Sequence, residues 1–453
     1  MALTKVSFSM IDGAAVNVID YGAKGDGVTD DTAAFQAAAV AANNGIVNGA
    51  GPGGTVYIPK GTYMVSRVGL RDTVLIGEDR ESTIIKCNAN AASPIYFLDA
   101  ATDRDGTTAN TAGGGGFQNL TIDGDNKTNV SGIRTYGGGV TIANMEVTKC
   151  GTGVALGLPI WANVRNVYSY GNNDGFFTYS GPSDLATSTT FQDCWADTCT
   201  GSGFYITQLT YSSFINCTSQ NCGGNGFLVD GNTNGVSFTV ALQFIGCANE
   251  GGTDIPFYFR KIRDLTVIGP RLFSPPSGKD LMRWEDCTGT IIDYGHSGSV
   301  SPNYLLSVTN YTAGVGEIKI LGGGVTYDPS SAVATSAIAP VGPSYGRFQN
   351  TKLANYTTVL SDAGKTILMD SSAGAGLTFT IPANSSVAYP VGTEIVFANR
   401  SGNNVSIACT TDTMLLASTF STGTRTLATQ STAIARKVEA AVWIIASIGG
   451  GLT

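Results

Sequence analysis

Charged residues make up only 13% of the 453-residue chain, histidine occurs once, and no apolar run reaches the length of a membrane span. Each shortage removes a class of function. A membrane-spanning helix needs about 18 or more consecutive apolar residues, and the N-terminus shows no charged segment leading into an apolar one, as a signal peptide would. Membrane insertion and signal-peptide secretion are therefore not expected, and folding in a reducing cytoplasm is. With 34 acidic against 26 basic residues and no cluster of Lys and Arg, the chain lacks the phosphate-neutralising surface that a nucleic-acid partner requires. The single histidine, His296 in YGHSGS, has no recognisable partner, so Ser-His-Asp and Cys-His machinery is set aside, as are His-rich metal sites. No metal and no cofactor is expected. Catalysis must use carboxylates, Lys, Arg or Tyr.

What the chain has instead is 59 glycines and a repeat. A glycine-rich, charge-poor chain too long for one ordinary globular core points to an extended β-rich architecture. Six segments superpose: FQNLTID from Phe117, IANMEVT from Ile142, VRNVYSY from Val164, FQDCWAD from Phe191, FINCTSQ from Phe214 and FIGCANE from Phe244, with starts 25, 22, 27, 23 and 30 residues apart. Such a period marks a solenoid whose rungs bury a shared core by stacking, and short strands between sharp turns make it a parallel β-helix. The third column of the repeat holds Asn119, Asn144, Asn166, Asp193, Asn216 and Gly246, and is predicted to turn the chain in left-handed geometry. Asp193 is then structural. The fourth column, Leu120, Met145, Val167, Cys194, Cys217 and Cys247, faces inward, and a further column holds Cys150, Cys199 and Cys222. These cysteines are read as reduced core residues rather than disulfides. A second apolar strand follows in several rungs: GFFTY from Gly175, GFYIT from Gly203, GFLVD from Gly226 and PFYFR from Pro256.

Ahead of the repeat stands VIDYGAKGDGVTDDTAAFQAAA at 18–39. Thr29, Asp30 and Asp31 are placed to cap an Ala-rich helix anchored by Phe35, and Gly22, Gly25 and Gly27 to turn an extended segment at 16–21 into it. The acids lack the alternating spacing of a calcium loop. NVIDYGAKGDGVTDDTAAFQAA, followed by GGTVYIPKGTYMV at 53–65, resembles the N-terminal signature of the pectate-lyase-like β-helix family common among bacteriophage tailspikes. The resemblance spans about residues 15–330 through the repeat. It implies an all-β, right-handed parallel β-helix with a short N-terminal capping helix, and an acidic run that caps rather than catalyses.

The expected organisation is a leader at 1–15, the β-helix with its helix at 16–328, a Ser-, Ala- and Pro-rich linker at 329–350, and a small C-terminal β domain at 351–453. DAGK, TFTIP, PVGTEI and a terminal Trp strand, in that order, resemble a module repeated across phage tail proteins, and MALTKVSFSMIDG resembles the short leader of such proteins. Together these likenesses imply a virion tailspike made in the host cytoplasm, joined to a tail or baseplate protein and usually homotrimeric. The apolar segment at 442–448 is the sequence feature offered for assembly.

Outward columns of the repeat supply the candidate site. One contains Glu146, Tyr168, Trp195, Thr218 and Ala248, and its neighbour Thr148, Tyr170, Asp197, Gln220 and Glu250. Aromatic rings beside carboxylates suit a sugar chain, with Trp195, Tyr168 and Tyr170 as stacking platforms. Asp197 and Glu250, two rungs apart, would flank a glycosidic bond at the separation of an inverting hydrolase. The alternative is that both are solvated tips. A second candidate face holds Tyr179, Thr207, Asp230 and Arg260 in one column and Phe177, Tyr205, Leu228 and Tyr258 in another, with Asp174 ahead of them. NNDGF at 172–176 resembles the NTDG motif of polygalacturonase-like β-helices, which makes Asp174 a catalytic candidate; the paired aspartates and GHG expected with it are missing. Asp230 and Arg260 also fit a surface ion pair. The expected partner is a bacterial surface polysaccharide. A lyase would need the cations of RKIRD at 260–264 against a uronate, and a non-catalytic receptor-binding spike is the other alternative.

Overall fold

The computed structural model describes residues 15–48, 53–93, 95–101, 115–180, 186–231, 238–292, 295–297, 306–309, 318–321, 338–340, 349–448 and 450–453. The leader and most of the linker lie outside these. The chain divides into two compact units, Met1–Val333 and Ala334–Thr453.

The first unit is a parallel β-helix. Among the described residues its repeat strands join a 21-stranded sheet, and the GFFTY-type strands join a second sheet of 12. Pairing is parallel and rung to rung: Gly116–Asp123 with Thr141–Thr148, that strand with Asn163–Tyr170, and onward through Thr190–Gln192 and Ser212–Ile215 to Leu242–Ile245. Asn119, Asn144, Asn166, Asp193 and Asn216 all have φ between 49° and 55°, and Gly246 has φ 63°, which makes the predicted left-handed corner. Their side chains also bond along the axis. Asn144 donates to Asn119 at 3.0 Å, Asn166 to Asn144 at 2.9 Å and Asn216 to Asp193 at 2.7 Å.

Two phenylalanine stacks fill the interior. Phe176, Phe204, Phe227 and Phe257 stack at 4.6, 4.6 and 4.9 Å between ring centroids, and Phe191, Phe214 and Phe244 at 4.8 and 4.5 Å. These intervals repeat the inter-strand spacing of about 4.7–4.9 Å. The stacks meet edge to face, as at Phe204 and Phe214. Cys194, Cys217 and Cys247, and likewise Cys150, Cys199 and Cys222, are buried free thiols. Outside, Ile215, Ile245, Ile268 and Ile292 pair in turn to form an apolar column along the axis.

At the N-terminus, the helix Thr32–Ala42 buries Ala34, Phe35, Ala38 and Ala39 against the solenoid, with Phe35 edge-on to Tyr63 at 5.4 Å. The capping differs in detail from expectation. Asp30 accepts from Thr32 N at 2.9 Å, whereas Asp31 makes no side-chain cap; buried, it accepts from Lys24 N at 2.7 Å and Gly25 N at 3.2 Å. Asp31 thus closes the preceding turn. There Gly25 has φ +60°, and a Cβ would lie 2.8 Å from the Tyr63 ring. The segment expected to be extended up to 21 is a strand only over Val16–Asn17 and then a 3-10 turn, Val18–Tyr21, because the Asn17 side chain accepts from Ile19 N at 3.0 Å.

The second unit packs two smaller sheets of six and four strands around Phe379, Phe397, Ile407 and Trp443. Its last strand, Val442–Ile448, runs between Ser431–Glu439 and Thr413–Leu416, with Trp443 and Ile445 fully buried. One face of that apolar strand is taken up by its own unit, while Ile448 stays 52% exposed.

Candidate functional site

Residues two apart on a strand face the same way, and parallel register carries each onto the next rung. The pairings confirm both outward columns of the repeat: Glu146 with Tyr168, Tyr168 with Trp195, Trp195 with Thr218 and Thr218 with Ala248; beside them Thr148 with Tyr170, Tyr170 with Asp197, Asp197 with Gln220 and Gln220 with Glu250. Trp195 is 43% exposed and Tyr170 39%. Tyr168 stands between them, its ring stacked on Tyr170 at 5.8 Å and edge-on to Trp195 at 5.7 Å. Its hydroxyl donates to Asp197 Oδ2 at 2.8 Å, while Thr198 donates to Asp197 Oδ1 at 2.8 Å. Burial first, and then the bond to Asp197, pushes the Tyr168 phenol well above its ordinary range, so it remains a donor. Tyr168, Tyr170, Trp195 and Asp197 therefore form one cluster, and Glu250 lies exposed two rungs further along the same column.

Toward the N-terminus this column continues through Asp123 to Lys86. Lys86 and Lys127 hold Asp125 at 2.8 and 3.1 Å, and Lys149 lies 3.7 Å from Asp123. Three ammonium groups thus gather on two carboxylates here. Sequence reasoning missed this because the three lysines are scattered and no motif joins them.

The second face keeps most of its predicted register. Phe177, Tyr205, Leu228 and Tyr258 form one column, and Thr207, Asp230 and Arg260 another that extends to Glu285. No pairing joins Tyr179 to that column. It pairs with Gly157, and the register to the next rung ends at Phe177 and Tyr205. Beyond that point Thr207 is buried and bonds Thr178, its amide donating to Oγ1 at 2.8 Å and its hydroxyl to the carbonyl at 2.6 Å. The Tyr179 and Tyr136 rings instead face one another at 6.3 Å across Gly157, where a Cβ would come within 2.3 Å of Tyr136.

Cations on this face are already matched. Arg260 lies 3.1 Å from Asp230 and 3.5 Å from Glu285, Arg263 lies 2.9 Å from Asp286, and Arg283 lies 2.7 Å from Asp280. Tyr258 donates a short hydrogen bond to Glu285; burial and then that bond push its phenol up to about 12. Arg260 and Arg263 of RKIRD are thereby paired with carboxylates across strands. In NNDGF, Asn172 is buried and bonds Cys150 N at 2.7 Å and Val147 O at 2.9 Å, while Asp174 accepts from Ser202 N at 2.8 Å. The motif builds a turn.

One more pair on this face escaped sequence reasoning. Asp99, 1% exposed, takes a two-point bond from Arg134 at 2.8 and 2.6 Å and has Arg67 at 3.7 Å, with Arg134 over the Tyr96 ring at 5.1 Å. GIRTY at 132–136 and GVALG at 153–157 are earlier rungs of the GFFTY series, so extending that alignment would have exposed Arg134.

A parallel β-helix with aromatic and acidic side chains in outward ladders defines the class of protein. The family described as rhamnogalacturonase A/epimerase, pectate lyase-like, matches residues 15–251, and the chain belongs to it. Among curated relatives, mannuronan C5-epimerase AlgE6 of Azotobacter vinelandii is 35% identical over 153 residues, covering 29% of this chain and 16% of that protein. The pre-neck appendage protein of Bacillus phage phi29 is 34% identical over 143 residues, covering 30% of this chain and 14% of that one. The matches therefore span a small part of either relative. Among solved structures, the A-module of mannuronan C-5 epimerase AlgE4 from Azotobacter vinelandii aligns with a TM-score of 0.52 at 20% identity, covering 72% of this chain and 98% of that one, which shows the shared fold.

Proposed function

We propose that this chain is a phage tail or appendage protein that binds a bacterial surface polysaccharide and cleaves it by glycoside hydrolysis on the Asp197 column. Support for the setting comes from the phage pre-neck appendage relatives, and for the substrate class from relatives named as a mannuronan epimerase and a glucan 1,3-beta-glucosidase. The observation that carries the reading is the adjacency of exposed Tyr170 and Trp195 to two carboxylates in one in-register column. Two rungs separate the backbones of Asp197 and Glu250 by about 9–10 Å, and side chains leaning inward bring the carboxyl groups near the roughly 6.5–9.5 Å of inverting hydrolases. One carboxylic acid protonates the leaving oxygen while the other carboxylate activates water. The rings stack on apolar sugar faces and hold the chain across the pair.

In the same reading the protein is a virion component and a homotrimer, and the outward isoleucine column of Ile215, Ile245, Ile268 and Ile292 is the face that packs between copies. Light scattering that finds a monomer at micromolar concentration overturns the assembly.

Incubation with purified capsular or O-antigen polysaccharide tests the chemistry. Hydrolysis releases new reducing ends without ultraviolet absorbance. Absorbing, unsaturated ends would assign a lyase instead, and binding without fragments would assign a receptor-binding spike.

A further inference from the structure

A different corner of the solenoid carries its own column. Trp161, Ser188, Tyr211 and Ala241 have φ of 54°, 56°, 45° and 54°. Backbone bonds step it from rung to rung: Trp161 N to Thr187 O at 3.2 Å, Ser188 N to Thr210 O at 3.2 Å and Tyr211 N to Val240 O at 3.0 Å. Left-handed backbone disfavours any residue with a Cβ, and a bulky one most. The asparagine corner meets this with small polar side chains that bond along the axis. Here the chain places Trp161 and Tyr211 at 73% and 66% exposure, the two most exposed aromatic side chains among the described residues. Neither ring has an aromatic partner among those residues. Backbone strain and exposed apolar area thus coincide twice in one column, with no gain in packing.

The two rings lie two rungs apart, so their backbones are separated by about 9–10 Å along the axis. That is the length of a disaccharide. We propose that Trp161 and Tyr211 form a second, non-catalytic glycan track: a polysaccharide strand runs along the solenoid axis, stacks the apolar faces of alternate sugars on the two rings and meets the Ser188 hydroxyl between them. The ligand class rests on the polysaccharide reading above. The track is separate from the Asp197 column, because Trp161 precedes the strand Asn163–Tyr170 whereas Tyr168 follows its bend at Asn166. It grips the polymer away from the bond being cut.

Trp161→Asn combined with Tyr211→Asn tests the track without threatening the fold, since asparagine accepts left-handed geometry. The double variant should melt at or above the parent temperature. In affinity electrophoresis through gels containing polymannuronate or a 1,3-β-glucan, at least one glycan should retard the parent, and the double variant should lose about tenfold in affinity, as expected for two lost stacking contacts. Trp161→Phe with Tyr211 intact should keep most of the retardation. Asp197→Asn should cut no polymer yet be retarded like the parent, which separates failure of the track from failure of the catalytic assignment. Equal retardation of parent and double variant overturns the proposal, as does no retardation in either gel. A change of oligomeric state in light scattering with binding unchanged also overturns it, and assigns the rings to a protein interface.

Discussion

The two outward faces of the solenoid carry similar residues in opposite states. On the second face, Asp99, Asp230, Asp280, Glu285 and Asp286 each have an arginine within 4 Å, on the same strand series or the next rung. On the repeat face, Asp197 is held by two hydroxyls, and Glu250 stands exposed two rungs on, in a column that continues to Phe273. Parallel stacking explains the contrast. Register sets side chains directly opposite their neighbours, so a carboxylate and an arginine on adjacent rungs become a cross-strand pair. On the repeat face such pairs gather at Lys86, Asp123 and Lys149, whereas among the described residues no lysine or arginine pairs with Asp197 or Glu250. Charge on the second face is therefore paired from rung to rung, whereas Asp197 and Glu250 on the repeat face have no cationic neighbour among the described residues.

Asp99→Ala breaks this comparison most severely. Removing the carboxylate strands the partly buried Arg134 guanidinium, and the cost expected for one partner of a buried pair is about 3–5 kcal/mol. Chemical denaturation should show that loss, with activity per folded molecule unchanged; unchanged stability would remove Asp99 from its structural role. Asp197→Asn and Glu250→Gln should do the reverse. Each should lower the rate of reducing-end release by about a hundredfold or more, the loss expected for a positioned acid or base, and leave unfolding within about 0.5 kcal/mol of the parent. A double variant that cuts polysaccharide at the parent rate would move the search to Asp174 and Asp230. The smallest effect belongs to Arg260→Gln, whose pairs with Asp230 and Glu285 are partly exposed. It should cost under about 1 kcal/mol, and less at high salt; a large loss of activity with the fold intact would return Arg260 to the catalytic candidates.

Much of the solenoid was legible because its rules are local. Asparagine at the third repeat position announces a left-handed corner, and an apolar fourth position announces the interior, so the columns through Asp197 and Glu250 could be aligned by inspection. The rest depended on interruptions of period. Thr178 and Thr207 look like ordinary strand residues, yet side-chain bonds between them stand where the ladder stops, short of Tyr179. Asp99 and Arg134 sit 35 residues apart across the unpatterned stretch at 102–114, which hides their equivalence. Asp31 followed a helix signal correctly in position but bonds backward, because Lys24 N and Gly25 N compete for its carboxylate at closer reach than the helix.

The phenylalanine stacks bear on how such a molecule can change over generations. Each ring stacks on its counterparts one rung above and below and meets the facing stack edge to face, so a rung added or removed whole leaves every surviving contact of the same kind. A single inserted residue within a strand would instead turn its whole apolar set outward. Variation is therefore channelled to the corners, where the interval between equivalent phenylalanines already stretches from 23 residues, Phe191 to Phe214, to 30, Phe214 to Phe244, without disturbing their stacking. Lineages of this protein can redraw the loops at the corners while inheriting the spine unaltered.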